Sequence, residues 1–384
     1  MDTPYEWIET AERLEALGSA MEKAAWIAID TEGNSLFVYR ERVCLIQLNV
    51  EGALYLVDPL ALTQGETPWQ APHPALERLR APLEDRDKPK FLHGGEYDVA
   101  TLARDFGIGL RGIFDSQHAA FLLGWEKTGY GAVVERVTGV KLAKAHTQDD
   151  WGKRPIDKAA LDYAIDDVRY LPEVCAHLKA AVAEADLEEE LAVGLGAIEE
   201  KRWHGGFDPG AIWKMSGAHK LSGAQMRGLF ALHCLRDRLA RRYDRPAGQF
   251  INDRVLVAMA SRRPEGTADL KRAGLRSALL AHHGEEFVAA LKHPEALDDL
   301  PPFPPRPEQR EPDDAEKKRE ANLRAWRQKE SKRRQVTPHA VLPSRALMWL
   351  KAHGADDLGA VPQLGEKRAR LYGDALRRLC RQGK

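Results

Sequence analysis

The sequence has few cysteines, and those it has are far apart. Its 384 residues contain only Cys44, Cys175, Cys234 and Cys380. None of them forms a CxxC pair or a Cys/His group at zinc-ligand spacing, which excludes a disulfide scaffold and a structural zinc site. Isolated thiols are typical of a reducing compartment, so we expect a cytoplasmic protein.

Long apolar runs are also lacking. No segment is long and apolar enough to cross a bilayer, and the N-terminus MDTPYEWIETAERLEALG is acidic and mixed rather than basic and then apolar. We therefore expect neither a secretory signal nor a membrane partner. The chain is long enough for two or three domains of ordinary size.

The formal net charge of −1 conceals an uneven distribution. The segment Ala315–Lys384 has 18 Lys and Arg residues against 7 Asp and Glu, whereas the preceding residues have 39 against 51. A basic segment of this kind suits contact with phosphates. The alternative is a solvated helical surface without a partner.

The first acidic pair follows a short apolar run. Trp26–Ile29 has the composition of a buried strand and leads into Asp30, Thr31 and Glu32. Strand alternation places the two acids on one face and Thr31 on the other. Neighbouring carboxylates repel each other unless a cation lies between them, and hard divalent cations prefer oxygen ligands. The alternative is a strand end that has left the core and is solvated.

A tyrosine and an acid share one face of a predicted helix. Within Leu161–Leu171, Tyr163 and Asp167 are four residues apart, so phenol and carboxylate lie side by side. Asp166 competes for the role of metal ligand, because it has the same spacing to Asp162. We favour Asp167, since the Tyr163 hydroxyl then lies where it can orient a water molecule. An ordinary helix with two surface acids and a core tyrosine is the alternative.

A third acid follows another strand. Phe91–Leu92 and the loop His93–Gly95 precede a predicted helix, and Asp98 lies in its first turn. From there Asp98 can point at the crevice that holds the other acids. Glu96 lies near the same helix start, where a negative charge suits the helix dipole.

These three patches resemble the motifs of ribonuclease D, a member of the DEDD 3′-to-5′ exonucleases. Asp30 and Glu32 match the first motif, Asp98 the second, and Tyr163 with Asp167 the third, which has the tyrosine form. The resemblance extends with few gaps to about residue 180 and includes the flanking segments YEWIET, ERVCLIQL and LAKAHTQDDWGKRPI.

The resemblance implies hydrolysis with two divalent cations, Mg²⁺ or Mn²⁺. Asp30, Glu32 and Asp167 would hold the first ion, and Asp30 with the assistance of Asp98 would contact the second. Tyr163 would orient the attacking water. The family also implies a ribonuclease H-like fold for the catalytic domain.

The expected activity is 3′-to-5′ exoribonuclease action on RNA with a free 3′ end. By resemblance, tRNA precursors are the expected substrates. Two alternatives remain: a DNA exonuclease with the same chemistry, and a nucleic-acid-binding scaffold that has lost activity. The intact set of five residues argues against the scaffold.

The residue pattern by itself predicts a mixed α/β sheet flanked by helices. The predicted strands are Trp26–Asp30, Val43–Val50, Ala53–Val57 and Lys90–His93. The predicted helices are Tyr97–Asp105, Ser116–Leu123, Gly131–Thr138 and Asp157–Glu184.

Three further residues are candidates for substrate binding. Lys144, Trp151 and Arg154 precede the predicted catalytic helix, where contact with RNA and simple packing are equally plausible interpretations. Asp115 is expected to cap a helix. His93 is expected to have a structural hydrogen bond.

Four regions are predicted along the chain. Residues 1–190 form the exonuclease domain, and residues 215–295 resemble an HRDC domain, an all-α module that implies nucleic-acid binding. Residues 298–314 form a proline-rich linker. Residues 315–384 resemble a second, divergent HRDC-like helical domain with a basic surface.

Overall fold

The structure is a computed structural model that describes residues 4–64, 71–143, 148–294, 300–307 and 310–381. The chain divides into two compact units, each built from separate stretches of sequence. The first contains the residues up to Gly33, Arg42–Trp203 and the residues from Glu311 onward, and the second contains Asn34–Glu41 and His204–Arg310. Among the described residues, no helix is both long and apolar enough to cross a membrane.

A six-stranded mixed sheet forms the centre of the first unit. Its strands are β1 (Glu6–Ile8), β2 (Ile27–Gly33), β3 (Val43–Val50), β4 (Ala53–Val57), β5 (Lys90–Leu92) and β6 (Ile113–Asp115), in the spatial order β1-β4-β3-β2-β5-β6. Strands β2, β3 and β4 pair antiparallel, whereas β1, β5 and β6 join by parallel pairing. The mixed sheet confirms the predicted fold class. Strands β1 and β6, of three residues each, were not predicted from the sequence.

Helices cover both faces of this sheet. They are α1 (Ala11–Lys23), α2 (Pro59–Leu62), α3 (Glu77–Glu84), α4 (Glu96–Phe106), α5 (Ser116–Leu122), α6 (Tyr130–Thr138), α7 (Lys158–Arg169), α8 (Leu171–Glu184) and α9 (Glu188–Glu199). On β2, Ile27 and Ile29 pack in a core with α1, α3 and α4. Ala28 points the other way and packs with α5, α6, α7 and α8. The two faces of β2 therefore contact different helices.

The predicted helix Asp157–Glu184 is wrong in one respect, because it is two helices. Helix α7 ends at Arg169, and α8 begins at Leu171 with Pro172 in its first turn. Proline has no N–H group to donate to the preceding turn, so the chain starts a new helix there. The break leaves Tyr163 and Asp167 on the shorter α7.

The second unit is helical in its described part. Its helices are α10 (Gly223–Arg242), α11 (Ala247–Phe250), α12 (Asp253–Arg262), α13 (Thr267–Arg272) and α14 (Ser277–Lys292). Helix α10 begins at a capping box formed by Ser222 and Gln225. Arg236 is buried in this unit, where it donates to the Ile251 carbonyl at 2.8 Å and to Asp253 at 2.7 Å. Arg236 therefore stabilises the unit itself.

Four C-terminal helices belong to the first unit. They are α15 (Asp314–Arg334), α16 (Pro338–Val341), α17 (Ser344–His353) and α18 (Glu366–Arg381). The Thr337 hydroxyl donates to the Leu122 carbonyl at 3.4 Å, and the Lys367 ammonium lies 3.1 Å from Glu190. Part of the basic excess of this segment is thus used in packing. The described residues between Leu300 and Asp313 contain no helix or strand.

Candidate active site

Strand β2 places two carboxylates on one face of the sheet. Asp30 and Glu32 alternate with the buried Thr31, so both acids lie on the face that α7 covers. Their partners on β3 are Gln47 and Leu45 respectively. Gln47 is fully buried, and neither polar atom of its amide hydrogen-bonds another described residue. Gln47 was not among the predicted site residues, because its position beside Asp30 depends on strand register.

Helix α7 brings a third carboxylate to the same place. Oxygen atoms of Asp30, Glu32 and Asp167 all lie within 4.8 Å of one another. The Tyr163 hydroxyl hydrogen-bonds the Asp167 carboxylate, as their four-residue spacing predicts. The competing acid Asp166 instead pairs with Arg169 at 3.7 Å and does not belong to this group.

Crowding and burial make the three acids hard to ionise. Burial, followed by repulsion from Asp98, Asp167 and Glu32, raises the pKa of Asp30 well above its usual value. Burial, followed by repulsion from Asp167, Asp98 and Asp149, raises the pKa of Glu32 to about 9. Burial also raises the pKa of Asp167 to about 7. Burial and the nearby acids also raise the pKa of the Tyr163 phenol, so it remains a hydrogen-bond donor at neutral pH.

Asp98 lies near this group but is not part of it. It belongs to α4, which packs on the opposite face of β2, and its carboxylate accepts a hydrogen bond from Thr31 at 2.5 Å. Burial raises the pKa of Asp98 to about 6, against the effect of the Thr31 hydrogen bond. Its charge still acts on Asp30, Glu32 and Asp167. Asp98 is therefore an electrostatic neighbour of the three acids.

The donor set fits a hard divalent cation. Three carboxylates whose oxygens converge, and whose charges repel in a partly buried site, have the chemistry that Mg²⁺ and Mn²⁺ prefer. The unpaired amide of Gln47 in the adjacent position is also consistent with a site that holds bound water or ligand.

Tyr130 is a further residue that the sequence did not indicate. Its hydroxyl donates to the Asp166 carbonyl at 3.0 Å, next to Asp167, and its ring centroid lies 5.1 Å from that of His93. His93 in turn bonds the Ser116 hydroxyl through Nδ1 at 2.8 Å. Tyr130 thus links α6 to the helix that presents Asp167. No local pattern could have predicted this contact between separate helices.

A large groove opens beside Asp167 and Tyr163. Its volume is about 1000 Å³. The residues that line it are Lys127, Gly129, Tyr130, Gly131, Ala132, Glu135, Lys141, Leu142, Ala143, Ala159, Asp162, Tyr163, Asp166 and Asp167. Its lining includes both Asp167 and two lysines, Lys127 and Lys141. Positive charges beside the acids suit a nucleic-acid strand that carries phosphates.

The predicted substrate-binding residues are not in this groove. Trp151 is 2% exposed and packs in a core that contains Leu45 and Ile165. The Arg154 guanidinium holds both oxygens of Asp58 at 2.7 Å and donates to the Cys44 carbonyl at 2.8 Å. Packing therefore accounts for both side chains.

Two further predictions in this region concern Lys144 and Asp115. Lys144 lies outside the described residues. Asp115 caps α5 by accepting from the His118 amide at 2.9 Å, as predicted, and its other oxygen accepts from the Gly95 amide at 2.7 Å. The carboxylate thereby ties the start of α5 to the loop before α4.

Comparison with known families identifies two matching regions. Residues 5–183 match a family described as 3′-5′ exonuclease, and residues 226–291 match the HRDC domain.

Individual relatives cover most of the chain. Ribonuclease D of Cronobacter turicensis is 30% identical over 292 residues, which is 76% of this chain and 76% of that protein. Ribonuclease D of Escherichia coli is 28% identical over 297 residues, again 76% of each. The crystal structure of Escherichia coli RNase D, described as an exoribonuclease involved in structured RNA processing, matches with a TM-score of 0.71 at 25% identity and covers 99% of both chains.

Proposed function

The chain belongs to the ribonuclease D family, and we propose that this 3′-to-5′ exoribonuclease uses two divalent cations to trim the 3′ ends of structured RNAs. The observation that carries the proposal is the convergence of Asp30, Glu32 and Asp167 beside a groove of suitable size. The intact set of acids argues against a scaffold without activity.

The three acids would hold the first cation, and Asp30 with the assistance of Asp98 would contact a second. Bound divalent ions would lower the pKa of water and neutralise charge that develops at the scissile phosphate. Without such ions, burial and the mutual repulsion of the carboxylates raise their pKa values. Bound cations would therefore stabilise the ionised carboxylates and also supply the charge that hydrolysis requires.

Tyr163 would position the attacking water. Its hydroxyl donates to Asp167, and its raised pKa keeps it protonated, so it orients water rather than acting as a base. Tyr130 would act as a positioning residue, because it holds the backbone at Asp166. Most of the rate enhancement would then come from orientation and charge stabilisation.

The groove beside the acids would receive the 3′-terminal strand. Lys127 and Lys141 line it, and their ammonium groups suit phosphate oxygens. Trp151 and Arg154 are not part of this proposal, since packing accounts for their contacts.

The substrates would be structured RNAs, with tRNA precursors the first to examine. The similar Escherichia coli enzyme is described as acting in structured RNA processing. The HRDC domain at residues 226–291 would contribute to RNA binding, as would the C-terminal helices α15–α18, which we propose form a second HRDC-like domain. The four free thiols support the proposal of a cytoplasmic location.

A trimming assay tests this proposal and separates it from a DNA exonuclease. A 3′-extended tRNA and a matched DNA strand, both labelled at the 5′ end, are incubated with the protein in Mg²⁺, in Mn²⁺ and in chelator. We expect a ladder that shortens from the 3′ end of RNA and disappears with chelator or with Asp30→Asn. Equal trimming of DNA would contradict the preference for RNA, and binding without trimming would contradict the proposed activity.

A further inference from the structure

A second cavity lies within the first unit, apart from the catalytic groove. Its volume is about 290 Å³, and it lies between helices α5 and α9 and the C-terminal helices α16–α18. His118, Phe121, His339, Arg345 and Arg368 are among the residues that line it. None of its lining residues belongs to the groove beside Asp167.

Arg368 brings a positive charge to this cavity without a direct counterion. The side chain is buried, and its guanidinium donates to the carbonyl groups of Ala340, Gln363 and Leu364 at 2.8 to 3.3 Å. Carbonyl groups orient the guanidinium but do not neutralise it. Within the described part of the chain, no carboxylate oxygen lies within ion-pair distance of Arg368. A buried charge in this position favours an anion from outside.

Two histidines line the same cavity. The ring centroids of His118 and His339 are 6.2 Å apart. Nε2 of His118 is buried and has no hydrogen-bond partner, and neither ring nitrogen of His339 bonds another described residue. Burial lowers the pKa of His339 to about 4, and repulsion from His118 and Arg368 adds to this effect. An anion beside His339 and Arg368 would relieve this repulsion and accept hydrogen bonds from both side chains.

A glycine inside helix α9 leaves space for the His118 ring. Gly194 lies within α9, and a Cβ atom built at this position would be only 1.9 Å from Nε2 of His118. Glycine is unfavourable in a helix interior. Its presence here therefore matches the need to accommodate the imidazole ring.

The acids around the cavity already have partners. Glu190 lies 3.1 Å from Lys367 and 3.6 Å from Arg334, and Glu96 lies 2.6 Å from Lys201. Their charges are balanced locally, which leaves Arg345 and Arg368 as the excess.

We propose that this cavity binds a phosphate group, either as inorganic phosphate or as the phosphate of a nucleoside monophosphate. Arg368 and His339 would contact the phosphate oxygens, with the exposed Arg345 at the edge of the cavity. Phe121 is 43% exposed, and its ring centroid lies 5.2 Å from that of His339, so the pair offers a surface on which a base can stack. The nucleotide source rests on the proposed function, because a 3′-to-5′ exonuclease that cleaves with water releases nucleoside 5′-monophosphates.

Calorimetric titration of the full chain tests the proposal. Inorganic phosphate, AMP and adenosine are titrated separately in a buffer with chelator, so that phosphate cannot bind through cations at the catalytic acids. We expect saturable binding of phosphate and AMP and none of adenosine. AMP binding at least about tenfold tighter than phosphate would assign the nucleotide as ligand, and equal affinities would assign inorganic phosphate.

Two variants locate the binding, and a third is the control. His339→Phe keeps the ring but removes the nitrogens, and Arg345→Ala removes an exposed charge whose loss does not disturb the core. Each should weaken binding by about tenfold. His353→Phe, an identical change at an exposed histidine of α17 outside the cavity, should leave it unchanged. If wild type binds neither ligand, or if Arg345→Ala and a folded His339→Phe both bind as wild type does, the proposal is overturned, whatever the RNA trimming assay shows.

Discussion

The hydroxyl group of Thr31 lies 2.5 Å from Oδ1 of Asp98 and donates a hydrogen bond to it. This contact holds Asp98 on the α4 face of β2, and from there its charge acts on the acids of the other face. Asp30 and Glu32 point toward α7, whereas Thr31 points toward α4 and holds Asp98 there. Three acids consequently form a group that can hold one cation, and the fourth approaches from the other side of the strand.

Removing one acid should abolish activity without unfolding the protein. Asp30→Asn and Asp167→Asn should each lower the rate of hydrolysis at least about 10³-fold, since ligand loss forfeits several kcal/mol of charge stabilisation. Mn²⁺ should raise the melting temperature of the wild type but not of the variants. Calorimetric melting with and without Mn²⁺ checks this, and Asp157→Asn, at an exposed acid just before α7 that does not line the groove, is the matched control. Near-normal turnover in either variant would show that the acids have another role.

The stability of the metal-free protein should fall as the pH rises. Glu32 has a pKa of about 9 in the folded chain against 4.5 as its ordinary value, so the folded state binds the extra proton. A group of this kind stabilises the fold at low pH, and the contribution is lost as the pH rises from about 4.5 toward 9. Urea unfolding at pH 5.5 and pH 8.5 in chelator measures the effect. Adding Mn²⁺ at the higher pH should restore stability, and a loss that is insensitive to metal would point to other groups.

Tyr163→Phe should impair the chemical step rather than RNA binding. The variant loses the hydroxyl that donates to Asp167 while it keeps the ring, so kcat should fall about 10- to 100-fold, with KM nearly unchanged. Single-turnover kinetics on a short RNA separate the two constants. Tyr55→Phe, which removes a half-buried phenol from β4, should retain full activity. An increase in KM alone would assign Tyr163 to substrate binding.

Two arginines on α18 should contribute to RNA affinity. Arg378 and Arg381 are exposed, have no ion-pair partner among the described residues and line a surface depression with Asp374. The double change to Glu should weaken RNA binding and lower the slope of log affinity against log salt by about 1 per lost phosphate contact. Titrations of a catalytically inactive variant at several salt concentrations measure the slope. Arg13→Glu with Lys23→Glu, at two exposed positions of α1, changes the net charge equally and should have a smaller effect. Equal salt slopes for the two double variants would show that Arg378 and Arg381 are only solvated and do not contact RNA.

These point variants test RNA binding more cleanly than removal of the C-terminal segment would. The segment provides Lys367 and Arg334 as partners of Glu190, and Thr337 bonds α5. Its deletion would therefore disturb the packing of the catalytic unit as well as remove positive charge.

Arg154→Ala should affect stability rather than substrate binding. The guanidinium is 27% exposed and pairs with both oxygens of Asp58, which is 5% exposed. Breaking this pair leaves a buried carboxylate without its partner and should cost about 3 kcal/mol in the free energy of unfolding. Urea unfolding measures the loss, and KM for RNA should stay unchanged. A raised KM with unchanged stability would restore Arg154 as a substrate contact.

The sequence indicated the acids because their positions follow from local periodicity. Alternation in β2 orients Asp30 and Glu32, and helical spacing puts Tyr163 beside Asp167, as the structure has them. The break before α8 also had a local signal in Pro172, which the predicted helix passed over.

Other contacts at the site depend on how distant segments meet. Arg154 pairs with Asp58 across 96 positions of sequence, and Tyr130 reaches the Asp166 carbonyl from a separate helix. Gln47 lies beside Asp30 only because of the register between β2 and β3. Periodicity carries no information on such contacts, so no single-sequence pattern could have revealed them.

The composition of the first unit also has a consequence for synthesis on the ribosome. This unit includes both the early residues of the chain and those from Glu311 onward, while most of the second unit lies between them in sequence. A nascent chain that ends at the linker lacks helices α15–α18. Its Glu190 side chain therefore has neither of its ion-pair partners, Lys367 and Arg334. Translation must therefore proceed almost to Arg381 before the catalytic unit can close, and a premature stop codon in the linker would release a nuclease with an incomplete first unit.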